Sequence, residues 1–177
     1  MLIPKNDTCT TVIDRAGGTV DDYEDGVSEW YVYGLKDRLR EEVLLSNYID
    51  VQGDGRIEIE YVKTPAGTTF EPYTGTGTKI KVYDNVTNEL VESFYIIIYG
   101  DVNGDSRINS TDASAIKDEA VGITDWSIKS SSNYVAYKFK AANIRADRFI
   151  TTNDASLVKD FAIGLTNINQ VTGEAGK

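Results

Sequence analysis

Oxygen-bearing side chains recur at alternate residues in Asp101-Val-Asn103-Gly-Asp105-Ser-Arg107-Ile-Asn109-Ser-Thr-Asp112. Asp101, Asn103, Asp105, Asn109 and Asp112 fall at positions 1, 3, 5, 9 and 12 of a twelve-residue loop. Arg107, at position 7, offers its backbone carbonyl. Calcium is a hard cation that takes roughly six to eight oxygens, and a turn built this way supplies them from one short segment. Position 12 is an aspartate rather than a longer, bidentate glutamate. Ser106 stands at position 6, where the backbone tends towards positive φ and glycine is usual, a local cost of about 1 kcal/mol. Ile108 fills the apolar eighth position.

A second copy follows. Shifting the frame by 42 residues lays Ile108–Gly122 (INSTDASAIKDEAVG) over Ile150–Gly164 (ITTNDASLVKDFAIG), with eight of fifteen residues identical. Each copy reads as the end of a loop followed by a short helix. Ile116 and Ala120 form the apolar stripe of the first helix, and Val158 and Ala162 that of the second. Gly122 and Gly164 sit where a C-terminal cap would end each helix. Helices this short need tertiary partners, so the pair is expected to pack together with Ile108 and Ile150 adjacent.

This duplicated loop-plus-helix pattern resembles the dockerin family over about residues 100–169. The segment entering the first loop, Ser93-Phe-Tyr-Ile-Ile-Ile-Tyr99, reads as a β-strand, whereas an ordinary EF-hand has a helix there. The resemblance implies a calcium-folded, non-catalytic module that plugs its parent protein into a cohesin on a scaffold protein, within bacterial complexes that degrade plant polysaccharides (cellulosome-type). It also implies which residues meet the cohesin: Ser110, Thr111, Lys117 and Asp118 in the first copy, and Thr152, Asn153, Lys159 and Asp160 in the second. The two sets are nearly identical, so either helix is expected to dock, in two orientations related by a half turn. Ordinary alternatives exist for each residue: helix N-capping for Ser110 and Thr111, and a solvated face for Lys117 and Asp118.

The second loop departs from the pattern. Its positions 1, 3, 5, 7, 9 and 12 are Asn143, Arg145, Asp147, Phe149, Thr151 and Asp154. Two carboxylates remain where the first loop has three, and a guanidinium at a ligand position opposes a divalent cation. Arg145 is expected to replace the metal by bridging Asp147 or Asp154, leaving calcium at the first loop; the alternative is an outward Arg145 with weak calcium binding at the second. The segment between the copies, Ile123–Ala142, is long. It reads as a Ser-rich start followed by a connecting helix through Asn133-Tyr-Val-Ala-Tyr-Lys-Phe-Lys, with Trp126 in the core.

Composition sets limits. The chain has 177 residues, 41% hydrophobic and 10% aromatic, enough to bury a core. It contains no histidine and one cysteine, Cys9, so histidine-based catalysis, zinc fingers and an intrachain disulfide are excluded. The net charge of −10 disfavours nucleic acid and anionic membranes as partners. No apolar run is long enough to span a bilayer, and Met1-Leu-Ile-Pro is too short for a signal peptide. The resemblance places such a chain in a secreted or cell-surface complex, as a portion of a longer protein and monomeric by itself. The charge is uneven: residues 1–99 carry nine basic and eighteen acidic side chains, against nine and ten in residues 100–177. That shift supports a boundary at Tyr99–Gly100 with almost no linker.

Residues 1–25 are polar and read as partly extended. Strands are expected at Glu29–Tyr33, Arg56–Val62, Lys79–Tyr83 and Leu90–Tyr99, with an amphipathic helix over Leu35–Tyr48. The overall fold class is α+β in two modules: a small Ig-like β-sandwich with one helix over 1–99, then an all-α dockerin with paired EF-hand-like repeats over 100–177. The first module resembles the X modules that precede dockerins in some scaffold-linked proteins, through Gly75-Thr-Gly-Thr-Lys-Ile-Lys-Val-Tyr-Asp84 running into a last strand. That resemblance implies a structural buttress. The stretch Asp50–Glu58 mimics a calcium loop, but Tyr61 at its twelfth position and the alternation after it make it a turn leading into a strand. An alternative function is a calcium-stabilised carbohydrate-binding module using Trp30, Tyr31, Tyr33 and the other tyrosines of residues 1–99 as stacking platforms. No motif singles out Glu58, Glu60 or Glu71 as a glycosidase pair.

Overall fold

The computed structural model describes residues 1–6, 10–15, 20–21, 28–64, 66–126, 136–145, 147 and 149–176. Cys9, Gly17-Gly18, Asp22–Asp25 and the first residues of the 133–140 run lie outside them. Strands β1 (Leu2–Pro4), β2 (Val12–Asp14), β3 (Val20–Asp21) and β4 (Ser28–Tyr33) precede helix α1 (Glu41–Asn47). Strands β5 (Ile49–Val51), β6 (Gly55–Glu60), β7 (Lys79–Asp84) and β8 (Leu90–Ile96) follow. Then come helices α2 (Ser110–Ala120), α3 (Ala136–Ala142) and α4 (Thr152–Ala162), and short strands β9 (Asn167–Ile168) and β10 (Ala175–Gly176).

The main sheet has the order β2-β4-β8-β7-β6, with β3 beside β4. All its pairings are antiparallel except β4 with β8. Alternation in the sequence fixes the register of its best-defined edge: Ile57 faces Val82 and Ile59 faces Ile80, with Glu58 and Glu60 exposed on the other side. Two comparable facing sheets, as a sandwich would have, are not found among the described residues of this part: beside the main sheet stands the two-stranded pair of β1 and β5. The Asp50–Glu58 stretch is β5, a turn and the start of β6, as its alternation requires.

Helix α1 is shorter than the amphipathic pattern over Leu35–Tyr48 implies. Leu35 and Leu39 are fully buried, yet the backbone before Glu41 is bonded elsewhere. Arg38 adopts φ +54, its N–H donates to the Ser106 carbonyl at 2.5 Å, and the Leu39 carbonyl accepts the Thr74 N–H at 2.8 Å. Those groups are therefore not available to a helical ladder.

One hydrophobic core runs across the 99–100 junction. It includes Val32, Leu39, Ile80, Phe94 and Ile96 on one side, and Val102, Ile116, Ala141, Ile144 and Val158 on the other. Helix α3 is the wedge. Its Tyr137 ring lies 4.7 Å from that of Tyr95 on β8, and Lys140 Nζ lies 4.9 Å from the Tyr33 ring centre. Trp126 is buried as expected. The C-terminal part is not all-α, because β9 and β10 pair antiparallel after α4. Ala162 is exposed, so the inward stripe of α4 is Ala155 and Val158, matching Ala113 and Ile116 on α2.

Candidate calcium loop and helix-pair face

The first loop is folded around its own acids. Asp101 is fully buried: Oδ1 accepts the Gly104 N–H at 2.8 Å, and Oδ2 accepts those of Ser106 and Thr76 at 3.1 and 3.0 Å. Asp112, also fully buried, accepts the Val102 N–H at 3.0 Å and the Asn109 N–H at 3.0 Å. Asn103 and Asp105 each accept the N–H two residues on, giving successive Asx turns. Arg107 is exposed. Ser106 takes the positive-φ position at +64, where glycine would be unstrained.

Burial pushes the Asp101 carboxyl up to about 8, and the charges of Asp112 and Asp105 add to this against the stabilising backbone donors. Burial likewise raises Asp112 to about 6. Lys138 on α3 is disfavoured as an ammonium by burial and favoured by the Asp101 charge. Among the described residues no group of three or more His, Cys, Asp or Glu side chains stands together as a ready metal cage. The donor set nonetheless fits calcium: three carboxyl groups, two amide oxygens and a peptide carbonyl, all hard oxygens, with two buried carboxyls, Asp101 and Asp112, whose ionised forms a divalent cation would stabilise.

The second loop closes differently. The Asn143 amide bridges to Asp147, accepting its N–H at 3.2 Å and donating to its carbonyl. Asp154, fully buried, accepts the N–H of Ile144 at 3.1 Å and both the N–H and hydroxyl of Thr151 at 2.8 Å. Among the described residues Arg145 pairs with Asp147, Nε to Oδ2 3.9 Å, with both side chains nearly half exposed. An ion pair of that kind contributes little, so Asn143 and Asp154, rather than Arg145, hold this loop. Phe149 is exposed. Ile108 is buried and Ile150 packs half-buried against the same core.

Helices α2 and α4 pack on each other, and both begin with a capping box. The caps are Asn109 and Thr151, whose side chains accept the N–H of Thr111 and Asn153. Capping therefore does not account for the Ser110 and Thr111 side chains. Both helices end in a glycine of positive φ, Gly122 at +76 and Gly164 at +77. Ile123 N–H then donates back to the Asp118 carbonyl and Leu165 N–H to that of Asp160, each at 2.8 Å. The two expected recognition sets match in environment: Ser110, Thr111 and Lys117 are exposed and Asp118 half-buried, as are Thr152, Asn153, Lys159 and Asp160 in turn. Between the helices lies a groove of about 510 Å³ lined by Ser110, Ala113, Ser114 and Lys117 and by Thr152, Ala155, Ser156 and Lys159. Sequence reasoning had not singled out Ala113, Ser114, Ala155 and Ser156. Their signal was the Asp-Ala-Ser run shared by both copies.

The three aromatics named for a carbohydrate platform are packed within the fold. Tyr31 is buried, Trp30 packs on Phe94 with Arg15 near its ring, and Tyr33 packs edge-on against Tyr99.

Residues 99–162 match the family described as Dockerin type I domain, which bears out the resemblance drawn from the two loops. The match covers both loops and helices α2 to α4, and residues 1–98 lie outside it. No curated protein and no solved structure matches the chain. Dockerin type I domains are non-catalytic, calcium-binding assembly domains whose partners are cohesins.

Proposed function

We propose that this chain anchors its parent protein in an extracellular polysaccharide-degrading complex. Residues 100–177 act as a calcium-dependent dockerin that seats on a scaffold cohesin. Asp101, Asn103, Asp105, the Arg107 carbonyl, Asn109 and Asp112 hold one calcium ion, which folds the loop and aligns α2. The second loop is shut by Asn143 and Asp154 without metal. Residues 1–99 act as a buttress rather than a catalyst, supported by the Tyr95–Tyr137 stack and the core shared across the junction.

The observation that carries the docking reading is the matched exposure of Ser110, Thr111, Lys117 and Asp118 with Thr152, Asn153, Lys159 and Asp160 around one groove. A pseudo-twofold face of this kind admits a partner in either of two orientations. Calorimetric titration of the whole chain against a panel of cohesins, in calcium and in excess EDTA, tests it. One-to-one binding that needs calcium is expected. Silence across the panel from a folded, calcium-loaded chain would overturn it.

A further inference from the structure

The first calcium loop is walled on one side by the N-terminal part of the chain. Thr76 donates its backbone N–H to Asp101 Oδ2 at 3.0 Å, and Leu39 donates its own to the Ser106 hydroxyl at 3.1 Å. The Ser106 carbonyl accepts the Arg38 N–H at 2.5 Å. Approach is backbone to backbone: a Cβ at Gly75 would overlap the Gly104 carbonyl and lie 2.6 Å from the Ser106 nitrogen. A Cβ at Gly104 would lie 2.6 Å from the Thr76 carbonyl. None of Arg38, Leu39, Gly75 or Thr76 belongs to the twelve-residue loop, and the three hydrogen bonds end on its first and sixth positions.

We infer that Leu39, Gly75 and Thr76 are positioning residues for calcium, so that metal affinity and the docking of residues 1–99 on the loop are one coupled equilibrium. The inference rests on the calcium reading above and extends it to residues outside the loop. Ser106 supplies the physical argument. A serine at φ +64 is strained where glycine would not be, yet its hydroxyl is the group that meets Leu39. The strain is offset by the contact. Coupling of this kind is reciprocal: whatever factor docking adds to calcium affinity, calcium adds to docking.

Ser106→Gly separates the possibilities by sign. It relieves the backbone and removes the hydroxyl, so a purely local loop would bind calcium as tightly or more tightly. The coupled site instead loses about five- to tenfold in affinity, the equivalent of one buried hydrogen bond. Gly75→Ala, which prevents the close approach without touching a ligand, should weaken calcium to a similar or greater degree. If it does not fold, Ser106→Gly decides the matter alone. Calcium affinity of the whole chain is read by calorimetry with the metal as sole titrant, and amide exchange at Leu39 and Thr76 is followed with and without calcium. Slower exchange at both amides in calcium, with weaker binding by the variants, supports the coupling. Unchanged or tighter binding by Ser106→Gly overturns it, whereas a parent chain that takes up no calcium overturns the calcium reading instead.

Discussion

Gln170 holds Tyr99 by both of its backbone groups: its Oε1 accepts the Tyr99 N–H at 2.7 Å, and its Nε2 donates to the Tyr99 carbonyl at 2.9 Å. The Gln170 carbonyl also accepts the Gly34 N–H at 2.8 Å. The tail after the second repeat is therefore tied to the residue two before the first loop and to the end of β4. Without the amide, the Tyr99 peptide groups would lose both partners in a nearly buried position.

Gln170→Ala should destabilise the chain by about 1–3 kcal/mol, the cost of leaving buried backbone groups unpaired. Urea denaturation followed by tryptophan fluorescence measures it. An unchanged midpoint would mean that the tail adds nothing to the fold.

The metal-free protein should lose stability as pH rises. Asp101 and Asp112 titrate in the folded state at about 8 and about 6, above their ordinary unfolded values, so folding favours their protonated forms. That contribution is fully present below about pH 4 and fades through the window up to about 8. In EDTA the melting temperature should be lower at pH 8 than at pH 5. Saturating calcium requires the ionised carboxylates and should reverse the order. Melting curves at both pH values, with and without metal, check the sign.

Docking should survive the loss of either recognition set. With two equivalent orientations, Lys117→Glu or Lys159→Glu alone removes one and lowers cohesin affinity by about twofold. The double change should lower it by roughly a hundredfold or more, the scale of a lost interface hot spot. A large loss from one single variant would refute the symmetry.

Calcium stoichiometry should be one per chain. Asp101→Ala should abolish binding and with it docking, while Asp147→Ala should leave the calcium isotherm unchanged. Two ions per chain in a direct titration would show that the second loop binds metal despite Arg145.

Much of the site is legible from local chemistry. Ligand spacing and the capping positions are each set within a dozen residues, the 42-residue repeat shows on aligning the two copies, and the Asx turns of Asn103 and Asp105 form from neighbours alone. Strands β6 and β7 follow from alternation, and β4 and β8 from their runs of aromatic and β-branched residues. The amphipathic pattern over Leu35–Tyr48 overruns helix α1 at its start, because apolar spacing at 35 and 39 cannot reveal that the 38–39 backbone is bonded to Ser106 and Thr74.

The sequence by itself determined that this chain carries a twelve-residue loop with calcium-ligand spacing, a second copy that departs from it and two matched helices, since spacing and side-chain type decide those locally. Only the tertiary structure decided that Asp101 and Ser106 meet Thr76 and Leu39, and that α3 wedges Tyr137 against Tyr95. Those contacts join residues far apart in the chain. Which of them form depends on how the core packs across the junction, and no local pattern encodes it.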